Sequence, residues 1–399
     1  MRKLGKWHGK IKWTGRRLFW LLGFALLGAV VSPRAFASPQ IPGAAPGRPI
    51  ALVGGTIHKV GGPAITGGTL VFEKGRVTAV GRRVKVPAKA KRIELRGRHV
   101  YPGLINAYGQ LGLVEISAVR ATVDYRETGR LNPNVKAEVA FNPDSELIPV
   151  TRSGGVLVAL SAPTGGIISG TSALMQLDGW SWEEMTVKAP VGMHVRWPRM
   201  PAPLAWPAKP PGGSGDPLEP LERCLADARA YQKAREAAAD EHPVDLRWEA
   251  LLPVLAGQLP LIVAADRVGQ IQTAVAFAQC HGVKLILLGG YDAPLCADLQ
   301  RREVPVIVRS THRLPLRRDD LYDAAYTLPQ RLRAAGVPFC IASRNTYNAR
   351  NLAFEAAMAA AYGLPRQEAL KAITLYPARI LGSPTARGAW RRARTPRCL

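Results

Sequence analysis

An α/β fold built on a parallel barrel is predicted, and three observations carry that expectation. From residue 259 onward short apolar runs alternate with helical stretches: strands at 259–264, 283–288, 304–308 and 337–342, helices at 268–280, 293–301 and 324–335. The stretch Val100-Tyr101-Pro102-Gly103-Leu104-Ile105 reads as a buried strand that ends abruptly in small and polar residues, where a parallel strand delivers side chains to the mouth of a barrel. The chain has 399 residues with 39 Gly and 33 Pro, too many breakers for a helical bundle and enough length for one barrel of roughly 250 residues plus a smaller unit.

Taken in order, residues 1–37 read as an export signal. A basic stretch precedes an apolar run at 18–31, and Ala35-Phe36-Ala37 before Ser38 is an A-x-A cleavage site. A run of that length makes about 21 Å of helix against a hydrocarbon core of roughly 30 Å, so it is too short for a permanent span. Thr14-Gly15-Arg16-Arg17-Leu18-Phe19 resembles a twin-arginine motif, and a Sec signal with a long basic region is the alternative. Either route predicts a bacterial periplasmic protein that meets the membrane only during export.

Residues 38–49 form a Pro/Gly/Ala linker. Short strands follow at 49–59, 68–74, 76–80 and 91–95, with Glu73-Lys74-Gly75-Arg76 as a hairpin turn. Residues 112–148 are polar and irregular, a loop on the side of the barrel mouth. A buried strand at 154–160 leads into the Gly-rich stretch 161–172, read as a loop, and a strand resumes at 173–177. Ser181 and Glu184 form a capping-box pattern. The Pro-rich segment 198–220 is an insertion, followed by a helix at 221–239; further helices are expected at 348–362 and 365–374.

Pro102-Gly103-Leu104-Ile105-Asn106-Ala107-Tyr108-Gly109-Gln110 resembles the Pro-Gly-aliphatic-aliphatic-Asp-x-His-x-His signature of the amidohydrolase superfamily, most closely its imidazolonepropionase-like branch. The block 368–382 is similar to the penultimate block of the same family. The resemblance implies a TIM-like (β/α)8 amidohydrolase barrel at 100–382 and a small β-sandwich whose N-terminal part is 50–99. It also implies a hydrolase of non-peptide carbon-nitrogen bonds that works through metal-bound hydroxide. The family draws its ligands from the first, fourth, fifth, sixth and eighth strands. In this chain Tyr108, Gln110, Ala264 and Ser343 stand at such positions, so no metal is expected, with zinc as in the family as the alternative.

No catalytic residue is assigned. The mouth is expected to hold Tyr108, Gln110, Thr164, Ser169, Thr171, Arg309, His312, Ser343, Arg344 and Asn345, a set suited to a polar or anionic small molecule, with Arg309 and Arg344 as an anion clamp. His194 and His312 lie on segments that could reach it and are read as ordinary loop residues. Cys224, Cys280, Cys296, Cys340 and Cys398 are read as small buried residues, since no C-x-x-C spacing occurs.

The net charge of +25 points at first to nucleic acid. Eight Lys/Arg fall within residues 1–37, five Arg in the tail, and no basic stripe is interleaved with aromatics, so no nucleic-acid partner is expected. From Ser383 the sequence leaves the family pattern and becomes a basic tail, 383–399, read as the product of a one-base frameshift that leaves the sandwich incomplete. Three functions remain: an exported amidohydrolase-related hydrolase, a catalytically silent barrel that binds a polar or anionic small molecule, and a structural partner of an active homologue. Homo-oligomerisation or pairing with a homologous barrel is the expected protein contact.

Overall fold

A computed structural model describes residues 41–43, 46–200, 216–343 and 345–383. The expected signal at 1–37, residues 201–215 of the Pro-rich insertion, Arg344, Cys398 and the tail from 384 lie outside the described residues.

Strands β1 (Ile50–Ile57), β2 (Ile65–Glu73) and β3 (Arg76–Gly81) form an antiparallel meander, while β4 (Lys91–Glu94) and β5 (His99–Val100) lie parallel to β1. Lys74 and Gly75 both have positive φ, 50° and 72°, as a two-residue turn matched to strand twist requires. Among the described residues the expected sandwich is one five-stranded sheet. Its apolar residues suffice for one face only: Leu52, Ile57, Leu70, Leu95 and Val100 make a small core of their own, and β3 alternates exposed with half-buried positions.

The larger part of the chain holds β6 (Leu104–Gly109), β7 (Val156–Ser161), β8 (Ile168–Thr171), β9 (Ala173–Gln176), β10 (Thr186–Lys188), β11 (Met193–Arg196), β12 (Leu261–Ala265), β13 (Leu285–Gly289), β14 (Val306–Val308) and β15 (Phe339–Ile341). They make two mixed sheets, in the orders β10-β9-β7-β6 and β15-β14-β13-β12-β11-β8. β6 and β7 are parallel, and so are the successive pairs from β11 to β15. Only Ser172 separates β8 from β9, so one extended stretch serves both sheets, antiparallel to β11 at one end and to β7 at the other. That pairing corrects the reading of 161–172 as a loop and of the strands as uniformly parallel. Gly170 suggested the loop. Instead its φ of 116° lets segment 129–139 cross close by: a Cβ there would meet the Val135 carbonyl at 2.5 Å.

The larger strands bury both faces. Leu261, Val263, Leu285, Leu287, Val306 and Ile341 join the cluster packed against the helices. The alternate residues Ile105, Leu160, Leu174, Ile262, Ile286, Ile307 and Cys340 join a second cluster shared by strands of both sheets. This is why these strands read as continuous apolar runs. The helix Val268–His281 ends on Gly282 at φ 68°, the left-handed cap that glycine adopts without strain. The helix at 221–239 runs as Glu219–Ala237. Cys224, Cys296 and Cys340 are buried as expected; Cys280 is exposed, because it sits on the outer face of its helix.

Candidate functional site

Residues on β6, on β11 and just after β14 come together. On β6 is Tyr108, whose phenol accepts a hydrogen bond of 3.4 Å from Gln110 Nε2. Immediately after β14 comes Arg309, whose guanidinium carbon lies 6.0 Å from the centre of the Tyr108 ring. On β11 is His194, its ring centre 6.2 Å from that of Tyr108. The imidazole is 4 % exposed, and its Nε2 and the Arg309 Nε are both buried without a hydrogen-bond partner. Among the described residues Arg309 has no ion pair.

Burial dominates the electrostatics of this group. Burial first, and the neighbouring Arg309 cation second, pull the His194 pKa down to about 3, so the imidazole is neutral at physiological pH. Burial also raises the Tyr108 pKa, against the opposing pull of Arg309 and the Gln110 hydrogen bond, and the phenol keeps its proton. The resulting surface has one fixed cation, one neutral imidazole and one phenol. Such a set recognises an anionic or strongly polar oxygen.

A buried carboxylate on the helix Leu352–Ala361 holds the loop that carries Arg309. Glu355 accepts from Ser310 Oγ at 2.8 Å, from Thr311 N at 2.6 Å, from Thr311 Oγ1 at 2.7 Å and from His312 N at 3.1 Å. His312 Nδ1 lies 3.6 Å from the same carboxylate. His312 is therefore anchored through its backbone and by Glu355, with its side chain turned to the surface.

The structure unites Tyr108, Gln110 and Arg309 of the expected set and uses several others elsewhere. Ser169 and Thr171 belong to β8, and their hydroxyls donate to the Gly165 and Val135 carbonyls at 2.6 and 3.2 Å. Ser343 is buried on Asn106, with its N–H donating to Asn106 Oδ1 at 3.0 Å. Asn345 caps the 3-10 turn Thr346–Asn351 by accepting from Asn348 N. In these four the polar group or backbone already has a partner within the fold. Thr164 stays half-buried in the loop before β8, its N–H on the Tyr125 carbonyl. Ala264 packs against the inner apolar cluster. Arg344, the expected second arm of the clamp, is outside the described residues.

His194, read from the sequence as a loop residue, lies on β11 beside Tyr108. The signal was present: Val191, Met193 and Val195 alternate as a strand, but Pro190 and Pro198 close to it made the segment look like a loop.

No protein-family profile matches the sequence. An amidohydrolase of Hapsidospora irregularis, tasK, is 24 % identical over an alignment 374 residues long that covers 79 % of this chain and 36 % of that protein. This chain thus spans about a third of the length of the curated relative it matches. A crystal structure of an amidohydrolase from Thermotoga maritima aligns with a TM-score of 0.74 at 25 % identity, over 84 % of this chain and 88 % of that one.

The fold resembles that of this amidohydrolase structure. Many amidohydrolases use metal, so the fit of a divalent ion here can be tested on the side chains themselves. Among the described residues no three His, Cys, Asp or Glu are placed to hold one ion. The imidazole beside Tyr108 is His194, and the Arg309 guanidinium would stand against any cation placed between them. These residues do not fit a zinc centre.

Proposed function

We propose that this amidohydrolase-like chain is a metal-independent relative of the imidazolonepropionase-like branch that binds a small organic anion, through a carboxylate or phosphate, at Tyr108, His194 and Arg309. In this reading the two mixed sheets form one closed barrel of eight strand positions, the β8–β9 stretch taking the third, and the anion enters at its mouth. The observation that supports it is the Arg309 guanidinium: it has no acidic partner among the described residues and stands over Tyr108 beside an unpartnered, buried His194 Nε2. The buried Arg309 Nε–H has no acceptor in the protein, and a ligand oxygen would supply one. Residues 1–37 support export to a periplasm, and pairing with a homologous barrel protein is compatible with the same site.

Calorimetric titration with inorganic phosphate and with acetate tests the reading. Saturable binding is expected, weakened about ten- to a hundredfold in Arg309→Met, the loss of one charge-assisted contact. Absence of binding in the full chain, or equal binding in the variant, would overturn it, as would stoichiometric zinc in purified protein. Hydrolysis of a non-peptide carbon-nitrogen bond is the second reading, favoured by the alignment with the Thermotoga maritima amidohydrolase over 84 % of the chain. Turnover of cyclic amides that persists after exhaustive chelation and is lost in His194→Gln would support that reading.

A further inference from the structure

At the opposite end of the same strands from Arg309 lies a cleft of ≈540 Å³. It is bounded by the residues leading into β12, β13 and β14, by the helix Val268–His281, and by the end of the helix Leu375–Ile380. Its floor is apolar, with Val191, Val275, Ala278 and Ile286. Lys188, Lys284 and Arg302 line it against a single acid, Glu303. None of the three cations has an ion pair among the described residues.

Two of these cations are already held in place. The Lys188 ammonium, half-buried, donates to the Leu381 carbonyl at 2.9 Å, and burial depresses its pKa. With the Gln279 amide turned so that its oxygen faces Arg302, that oxygen accepts from both guanidinium ends. An apolar floor under fixed, unneutralised positive charge matches a ligand with an apolar body and one anionic end, and the volume falls within the roughly 300–1,000 Å³ of small-molecule sites. The chain's own residues 384–399 carry five Arg and no acid, so they repeat the sign of the rim and do not complement it.

We propose that this cleft is a second ligand site, separate from the Tyr108, His194 and Arg309 group, for an organic carboxylate with an apolar body. Calorimetry of the full chain with decanoate is the test, with decanol as the uncharged comparator and inorganic phosphate as competitor. With inorganic phosphate in excess at the Arg309 group, decanoate is still expected to bind at one saturable site, at least about tenfold more tightly than decanol. Arg302→Met is expected to weaken decanoate about tenfold, Ala278→Phe to abolish binding by filling the floor, and Arg309→Met to leave it intact. Lys188→Met also removes a helix-end hydrogen bond, so the exposed Arg302 serves as the primary variant. No saturable decanoate binding, equal affinity for decanol, or full affinity retained in both Arg302→Met and Ala278→Phe would overturn the proposal.

Discussion

Asn106 on β6 and Ser343 just after β15 are 237 positions apart and share a two-way hydrogen bond: the Ser343 N–H donates to Asn106 Oδ1 at 3.0 Å, and Asn106 Nδ2 donates to Ser343 Oγ at 3.3 Å. Both side chains are fully buried. The pair ties the outermost parallel strand of one sheet to that of the other. In Asn106→Leu the buried Ser343 N–H has no acceptor, a loss of about 1–3 kcal/mol; Ser343→Ala gives up one neutral bond, about 0.5–1.5 kcal/mol. Urea denaturation of the two variants should rank them in that order.

Glu355 gathers four donors from three consecutive residues, directly after the proposed anion-binding arginine. Removing the carboxylate in Glu355→Ala takes the acceptor from Ser310 Oγ, Thr311 N and His312 N, while Thr311 Oγ1 keeps the Glu355 backbone carbonyl at 2.9 Å, for an expected loss of about 2–4 kcal/mol. Glu355→Gln keeps one acceptor oxygen and should lose roughly half as much. Phosphate affinity should fall in Glu355→Ala although Glu355 is spent on the loop, because Arg309 loses its fixed position. Calorimetry and denaturation on the same preparations check both effects.

Asp292 receives the Val268 N–H at 3.1 Å, at the start of the helix Val268–His281, and forms a two-point ion pair with Arg317. Asp266, two residues before that helix, accepts from Tyr291 N and faces Arg313 at 3.6 Å. Asp292→Asn should cost about 2 kcal/mol, below the value for a fully buried pair, because Arg317 is 31 % exposed and retains Asp320. The thermal midpoint of the variant measures this.

The strands that bury both faces were legible because an apolar run needs no partner information: β12, β13, β14 and β15 were all anticipated within a residue or two. The polar end of β6 was not. Asn106 and Tyr108 look like the start of a loop until the partners that bury them, Ser343 and Arg309, are known, and those lie more than two hundred residues away. β8 was hidden for a related reason: Gly165, Gly166 and Gly170 signal flexibility locally, yet Gly170 is there to admit the backbone of segment 129–139. Of the site, the Tyr108 and Arg309 ends could be read from strand termini. Glu355 could not, since its role is defined by a loop that precedes it by more than forty positions.

His194 makes stability depend on pH. Its folded-state pKa of about 3 lies below the ordinary 6.5, first through burial and then through Arg309, while the Tyr108 phenol beside it stays protonated and uncharged. Between those two values the unfolded chain binds the extra proton and the folded chain does not, so stability is fully present above pH 6.5 and declines as the solution is acidified toward pH 3. From pH 7.5 to pH 5 the expected loss is roughly 2 kcal/mol. His194→Gln has no titrating group there, so its denaturation midpoint should change less over that interval by the corresponding amount. Equal pH dependence in the two proteins would mean that the imidazole is hydrated and protonates freely, which would also remove the desolvated anion site built on it.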